Sequence, residues 1–427
     1  MENDHLACLP DTPAASAAQA SAPAQAVLVG LEGSGDPDVT RATLETIRQG
    51  LGASFPGLSL RLALVGVESV PAGWGDDVVA LPPARRPGHL PPPAAASIVP
   101  GAYTGAQSPL PTLLEAAHAS GVDACVLLAP EPHDDSVPWA SLLVEAVVHK
   151  GMDLVNPVYA RLRFDGAINT GLAAPLLRAL FGVRLRQPLG GEVALSRRLV
   201  ADLVKEMEWL QDPVRAGTDV WLLAKALAGG YRVCEALLGA RPKVAPDPAQ
   251  DLGQTLSRVL DLLFNAMDQH AATWQKLYRF STAPTCGDAP VVLPDAHPVP
   301  VARMQEAFRL GCRDLVPLWS RVLSPATLVA MRRAARLPDD TLAVDDATWA
   351  RAVYDFSLAY RATTLDRRQL LACFPPLYLG WLAGLVTSAR DLDIAGVLER
   401  MDAVGRAFEA EKPYLTSRWR WPDRFSP

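Results

Sequence analysis

The run Arg186-Gln187-Pro188-Leu189-Gly190-Gly191-Glu192-Val193-Ala194-Leu195-Ser196 is written as a tight loop that delivers a basic flank to a carboxylate. Pro188 bars regular pairing, and Gly190-Gly191 lets the backbone turn with no Cβ in the way. Such a run is either a binding loop or a Pro-Gly turn joining two core elements. Its surroundings are strongly basic. Between residues 161 and 198 there are seven arginines (161, 163, 178, 184, 186, 197 and 198) against the two acids Asp165 and Glu192. Arginine forks suit carboxylate or phosphate, so a small anion is the expected ligand. Arg161, Arg163 and Arg186 are the candidates, the others being expected to coat helix faces.

Upstream, short apolar runs alternate with amphipathic ones. Ala26 to Leu31 reads as a strand, Glu32-Gly33-Ser34-Gly35 as its loop, and Val39 to Leu51 as a helix; Leu58 to Val67 is the next strand. This is a βαβ opening with a nucleotide-sized crevice at its strand ends. The glycine loop lacks full dinucleotide-binding spacing, and Glu32 would repel a phosphate. Pro71 to Gly105 is too rich in Pro, Gly and Ala for long regular elements and reads as an exposed, mobile loop. Further strands are expected at Asp123–Leu128, Asp153–Pro157 and Tyr231–Leu238, with helices between them.

Beyond residue 250 the pattern is helix upon helix: Asp251–Tyr278, Ala302–Leu318, Pro325–Arg336, Asp345–Ala362, Pro376–Ala389 and Ile394–Glu411. A Pro-rich linker is expected at about 283–300. The predicted organisation is a tail at 1–25, an α/β domain at 26–250 and a helical domain at 251–427. The tail, Ala/Ser/Pro-rich and acidic where a signal peptide is basic, reads as disordered. Gln369 to Ala389 carries no charge, but Pro375-Pro376 leaves a helix too short for a span of roughly 20 residues. No membrane span is expected. The formal charge of −6 gives no general attraction for nucleic acid, and six scattered cysteines read as free thiols in a reducing, cytoplasmic compartment.

Several segments resemble one family in order and spacing: Asp165-Gly166-Ala167-Ile168-Asn169-Thr170-Gly171, the Gln187–Glu192 loop, Gly217-Thr218-Asp219-Val220-Trp221, Tyr231-Arg232-Val233-Cys234, Asp247–Gly253, Val353–Tyr360 and Phe408–Leu415. The chain resembles, from about Ala26 to Trp419, the mannosylglycerate synthase and glucosyl-3-phosphoglycerate synthase group. These are nucleotide-sugar glycosyltransferases of the GT-A fold, a Rossmann-like α/β domain followed here by an all-helical region. The resemblance implies a nucleotide-sugar donor and a small anionic or polyol, glycerate-like acceptor. It places Arg161, Arg163, Arg186, Gln187, Gly190 and Gly191 on the acceptor, and Glu32, Glu131 and Lys243 on the donor. Asp219 and Glu192 are its candidates for orienting or deprotonating the acceptor hydroxyl. Asp219 is equally a helix cap. Self-association is left open.

The departures fall on the metal. The family ends the strand at Ala124–Leu128 with an Asp-x-Asp pair for Mg²⁺ or Mn²⁺, and here Ala129-Pro130-Glu131 stands. Its histidine ligand after the last strand matches Lys243, within Gly239-Ala240-Arg241-Pro242-Lys243. Lys243 is either an ammonium replacing the ion or a solvated lysine, and Glu131 a surviving ligand, a ribose contact or an ordinary strand-end carboxylate. His133-Asp134-Asp135 is either a displaced metal site or a turn capping the next helix. Metal dependence is thus expected to be degenerate. The alternative function is a catalytically silent relative retained for binding or assembly.

Overall fold

Strand β1 (Ala26–Glu32) is apolar on both faces and buried from Val27 to Leu31, as a central strand covered by helices on both sides must be. The computed structural model describes residues 25–32, 36–82, 110–128, 136–206, 218–240, 248–293 and 298–420. After β1 come α1 (Pro37–Ser54), β2 (Ser59–Val65), β3 (Val78–Leu81), α2 (Leu110–Ser120), β4 (Ala124–Leu128), α3 (Ser136–Val148) and β5 (Leu154–Leu162). A π-turn (Asn169–Ala173) leads into α4 (Ala174–Phe181), β6 (Val183–Arg184), β7 (Val193–Ser196), α5 (Arg197–Lys205), α6 (Thr218–Ala228) and β8 (Val233–Ala240). Next are α7 (Pro248–Gln269), α8 (Ala271–Trp274) and three two-residue strands, β9 (Ser281–Thr282), β10 (Thr285–Cys286) and β11 (Val292–Leu293). The rest is helical: α9 (Val301–Asp314), α10 (Val316–Trp319), α11 (Pro325–Ala334), α12 (Asp346–Arg361), α13 (Arg367–Ala372), α14 (Pro375–Ala389) and α15 (Ile394–Arg420).

The main sheet has the order β3-β2-β1-β4-β7-β5-β8-β10, with β11 added to β5. Every pairing is parallel except those of β7, which runs antiparallel to both β4 and β5. The expected class, an α/β sheet followed by helices, is the one observed. Helices α1 and α3 bury one face of the sheet, with Leu44, Ile47, Leu143 and Val144 among the packed residues. The other face carries α2, α4, α5 and α6, and its hydrophobic cluster continues without interruption into α7, α12, α14 and α15. The change in composition near residue 250 therefore does not coincide with a break in the interior.

Local chemistry sets the element ends. Asp36 accepts from the backbone of Asp38 at 2.9 Å to start α1, with Pro37 at the first helical position. Ser196 caps α5 through Leu199 N at 3.2 Å. At Gly182, φ is +71° and a Cβ would lie 2.1 Å from Arg279 O, so only glycine closes α4 there.

Five expectations are corrected. The stretch predicted as an irregular loop from Pro71 contains β3, held by its parallel register with β2. The predicted linker at 283–300 contains β10 and β11, which join β8 and β5. Pairing of this kind depends on strands distant in sequence, which a Pro-rich composition does not reveal. The single helix expected at Asp251–Tyr278 is divided at His270, and that at Ala302–Leu318 at Leu315. Helix α15 continues past Glu411 and through Pro413 to Arg420. One helical run, Arg367–Ala389, is long and apolar enough to cross a membrane by length and composition, and 72% of its apolar window is buried inside the protein. The described cysteines are free.

Two predictions follow from this packing. A Cβ at Gly171 would lie 2.2 Å from the ring of Trp381, which is wholly buried and stacks on Trp349 at 5.2 Å. Gly171→Ala should cost about 2 kcal/mol, seen as a lower urea midpoint. Lys412 is buried and donates to the carbonyls of Leu180, at 3.2 Å, and Leu277. Burial lowers its pKa to about 8 from the usual 10.5, against the opposing pull of Glu409. Between those values the unfolded chain keeps a proton that the folded chain releases, so stability rises with pH. The difference in unfolding free energy between wild type and Lys412→Met should shift in favour of wild type from pH 8 to 10.5; a flat difference would contradict this.

Candidate functional site

The carboxyl end of β5 is where the site is built. Pairing between β5 and β7 covers only Leu154 and Val155, and Pro157 has no N–H to offer beyond it. The Gln187 side chain completes this side of the strand. Its Nε2 donates to Tyr159 O at 2.7 Å, and its Oε1 accepts from Tyr159 N at 3.2 Å and from Arg161 Nε at 2.9 Å. The amide thus does for Tyr159 what a neighbouring residue in a ladder would do. Asn169 clamps the same loop, accepting from Leu189 N at 2.9 Å and donating to Leu189 O at 3.3 Å. Gly190 lies directly on Pro157, where a Cβ would come within 2.4 Å of the ring.

Glu235 of β8 fixes the start of the loop. Fully buried, it accepts from Arg186 N at 2.5 Å and pairs with Arg186 Nη1 at 2.5 Å. Burial raises its pKa above the ordinary carboxylate value, an effect that the Arg186 backbone and guanidinium counter only in part. The loop therefore belongs to the interior. Residues Gln187 to Glu192 are all buried; Gln187 and Gly190, expected on an acceptor, are engaged with β5, and Gln187 also lines the cleft beside it. Glu192, expected to be catalytic, is 2% exposed and stands just before β7, level with the end of β4.

What the loop presents is an open cleft. Arg161 and Arg163 line it from the end of β5, Arg184 and Arg186 from the loop, and Arg178 from α4. Helix α15 forms the opposite wall with Leu398, Met401 and Asp402. Five arginines and the two acids Asp165 and Asp402 line the cleft together. Arg161 also lies 5.7 Å from the Tyr159 ring centroid, and Arg163 donates to Arg390 O at 3.2 Å. A cleft of this charge can hold a small anion.

The predicted residues are thus divided. Arg161, Arg163, Arg186 and Gln187 come together in the cleft. Arg197 and Arg198 do not: they pair with Asp123 at 3.1 Å and Asp153 at 2.7 Å, at the amino ends of β4 and β5. Glu32 closes β1 and is half-buried, several strands from the cleft. Asp219 is the second residue of α6, its side chain lying outside what is described. Glu131, Lys243 and the His133-Asp134-Asp135 run also lie outside the described residues. Sequence reasoning set aside Arg178 and Arg184, although both were in the basic count, and missed Asp402, which nothing near it in the sequence marks.

Among the described residues no three His, Cys, Asp or Glu side chains gather as a metal site. No family model matches the chain, and no curated protein matches it. Solved structures do. Glucosyl-3-phosphoglycerate synthase from Mycobacterium tuberculosis, in complex with Mn²⁺, uridine diphosphate and phosphoglyceric acid, is 20% identical with a TM-score of 0.38, over 57% of this chain and 78% of that one. The same enzyme with phosphoglyceric acid alone is 20% identical at TM-score 0.38, over 58% and 80%. A mycobacterial protein is 21% identical at TM-score 0.37, over 58% and 75%. Likeness of this degree carries no argument about activity.

The buried pair gives a prediction. Glu235→Ala removes the anchor of Arg186 and should destabilise by about 3 kcal/mol, measured by chemical denaturation. A loss below 1 kcal/mol would show that Gln187 and Asn169 hold the loop alone.

Proposed function

We propose that the protein transfers a glycosyl group from a nucleotide-sugar donor to a small anionic acceptor held in the arginine cleft. The observation that carries this reading is the cleft itself: five guanidiniums gathered at the carboxyl end of β5, the end of a parallel sheet at which ligands bind in open α/β folds. The family-like segments around it add the donor class. Arg161 and Arg163 bind the acceptor's anionic group on this reading, and Arg186, tied to Glu235, keeps the wall in place. Glycerate-like molecules match the charge. Orientation or deprotonation of the acceptor hydroxyl falls to Asp219 or Glu192, and the donor lies towards the ends of β1 and β4.

Calorimetric titration with UDP-, GDP- and ADP-sugars, with and without Mn²⁺, tests the donor. Heat with at least one of them, followed by sugar transfer to at least one small anionic acceptor, glycerate and phosphoglycerate being tried in turn, is expected. Absence of both would leave the silent relative, with a binding or assembly role, as the better reading. For the acceptor, Arg161→Ala and Arg163→Ala should each raise KM about tenfold or more while changing kcat less, because they remove ground-state binding. Equal KM values for wild type and both variants would refute their role.

A further inference from the structure

Asp402 enters the cleft from α15, opposite the wall that carries Arg161, Arg163 and Arg186. Its Oδ1 accepts from Arg178 Nη1 at 2.7 Å and lies 2.9 Å from Arg184 Nε, while Oδ2 meets Arg406. The carboxylate is only 11% exposed. Arg178 is gripped from its other edge, with Nε and Nη2 on Glu409 at 2.6 and 3.1 Å. One edge of Arg178 and the Nε of Arg184 are therefore left to converge on a single carboxylate oxygen, as they would on an oxygen of a bound anion. The approach is built into the helix. A Cβ at Gly405 would lie 2.8 Å from Arg178 Nη1 and 3.1 Å from its Cδ, so a side chain there would push the guanidinium out of place. Burial favours the neutral form of Asp402, but Arg178, then Arg184 and Arg406, outweigh it and hold the carboxyl below its usual range.

We propose that Asp402 is a tethered competitor for the cleft, a specificity-determining carboxylate that an incoming anion must displace from Arg178 and Arg184. The inference rests on the reading of the cleft as an anion site. A free monocarboxylate offers the arginines no more charge than Asp402 does and lacks its effective concentration. A phosphate group carries close to two charges at neutral pH and three acceptor oxygens, so it displaces Asp402 where a carboxylate does not. The α15 carboxylate thereby sets the minimum charge of the ligand.

The test is calorimetric titration of the full chain with inorganic phosphate and with acetate at fixed ionic strength. Wild type, Asp402→Asn, Asp402→Ser and Glu409→Gln are compared, each with its melting temperature. Wild type should bind phosphate and not acetate. Asp402→Asn and Asp402→Ser should bind phosphate about tenfold or more tightly than wild type and bring acetate binding into range, the sign opposite to that of a merely structural lesion. Glu409→Gln, which loosens the outer edge of Arg178 and leaves Asp402 in place, should not tighten binding. Folded Asp402 variants no tighter than wild type, or equal tightening by Glu409→Gln, would overturn the inference and leave the anion site standing. Folded proteins that all ignore phosphate would remove the anion site and the inference with it. Failure of both Asp402 variants to fold would also overturn it, since a displaceable carboxylate is one the fold can spare.

Discussion

The structure depends on a side-chain amide standing in for a strand. Beyond Val155, β5 has no β7 residue beside it, and the backbone of Tyr159 would be buried without partners had Gln187 not supplied a donor and an acceptor. An unpaired buried backbone group costs about as much as a lost hydrogen bond, so the position of Gln187 is fixed within narrow limits. Once it is fixed, the residues on either side follow. Arg186 is delivered to Glu235, Leu189 to Asn169 and Gly190 to the ring of Pro157.

That constraint makes the loop rigid and its arginines directional. Arg184 and Arg186 project from a segment tied to β5 and β8, and Arg161 is steered by its bond to the same Gln187. Gly190 permits close approach to β5, and a wall of guanidiniums stands on the loop. A preorganised wall of this kind loses little conformational freedom when an anion arrives.

The helical region completes the cleft because the two parts of the chain share one interior. Helix α4 lies between the sheet and α15, and Arg178 on α4 faces Asp402 and Glu409 on α15. Those carboxylates hold in register two elements that composition alone assigns to different domains. Movement of α15 relative to α4 would alter the charge of the cleft directly.

The sequence by itself determined the α/β class, most central strands and the basic character of residues 161 to 198. Apolar periodicity and local charge are properties of short segments and are fully expressed there. It also marked Arg161, Arg163 and Arg186, which the fold brings into one cleft. Only the tertiary structure decided that β7 runs antiparallel between β4 and β5, that residues 285–286 and 292–293 belong to the sheet, and that the Gln187–Glu192 loop is interior. It alone brought Asp402 to Arg178 and Arg184. Strand order, burial of a polar loop and a carboxylate contributed from the far end of the chain are all settled by contacts between residues remote in sequence, and no local pattern encodes them.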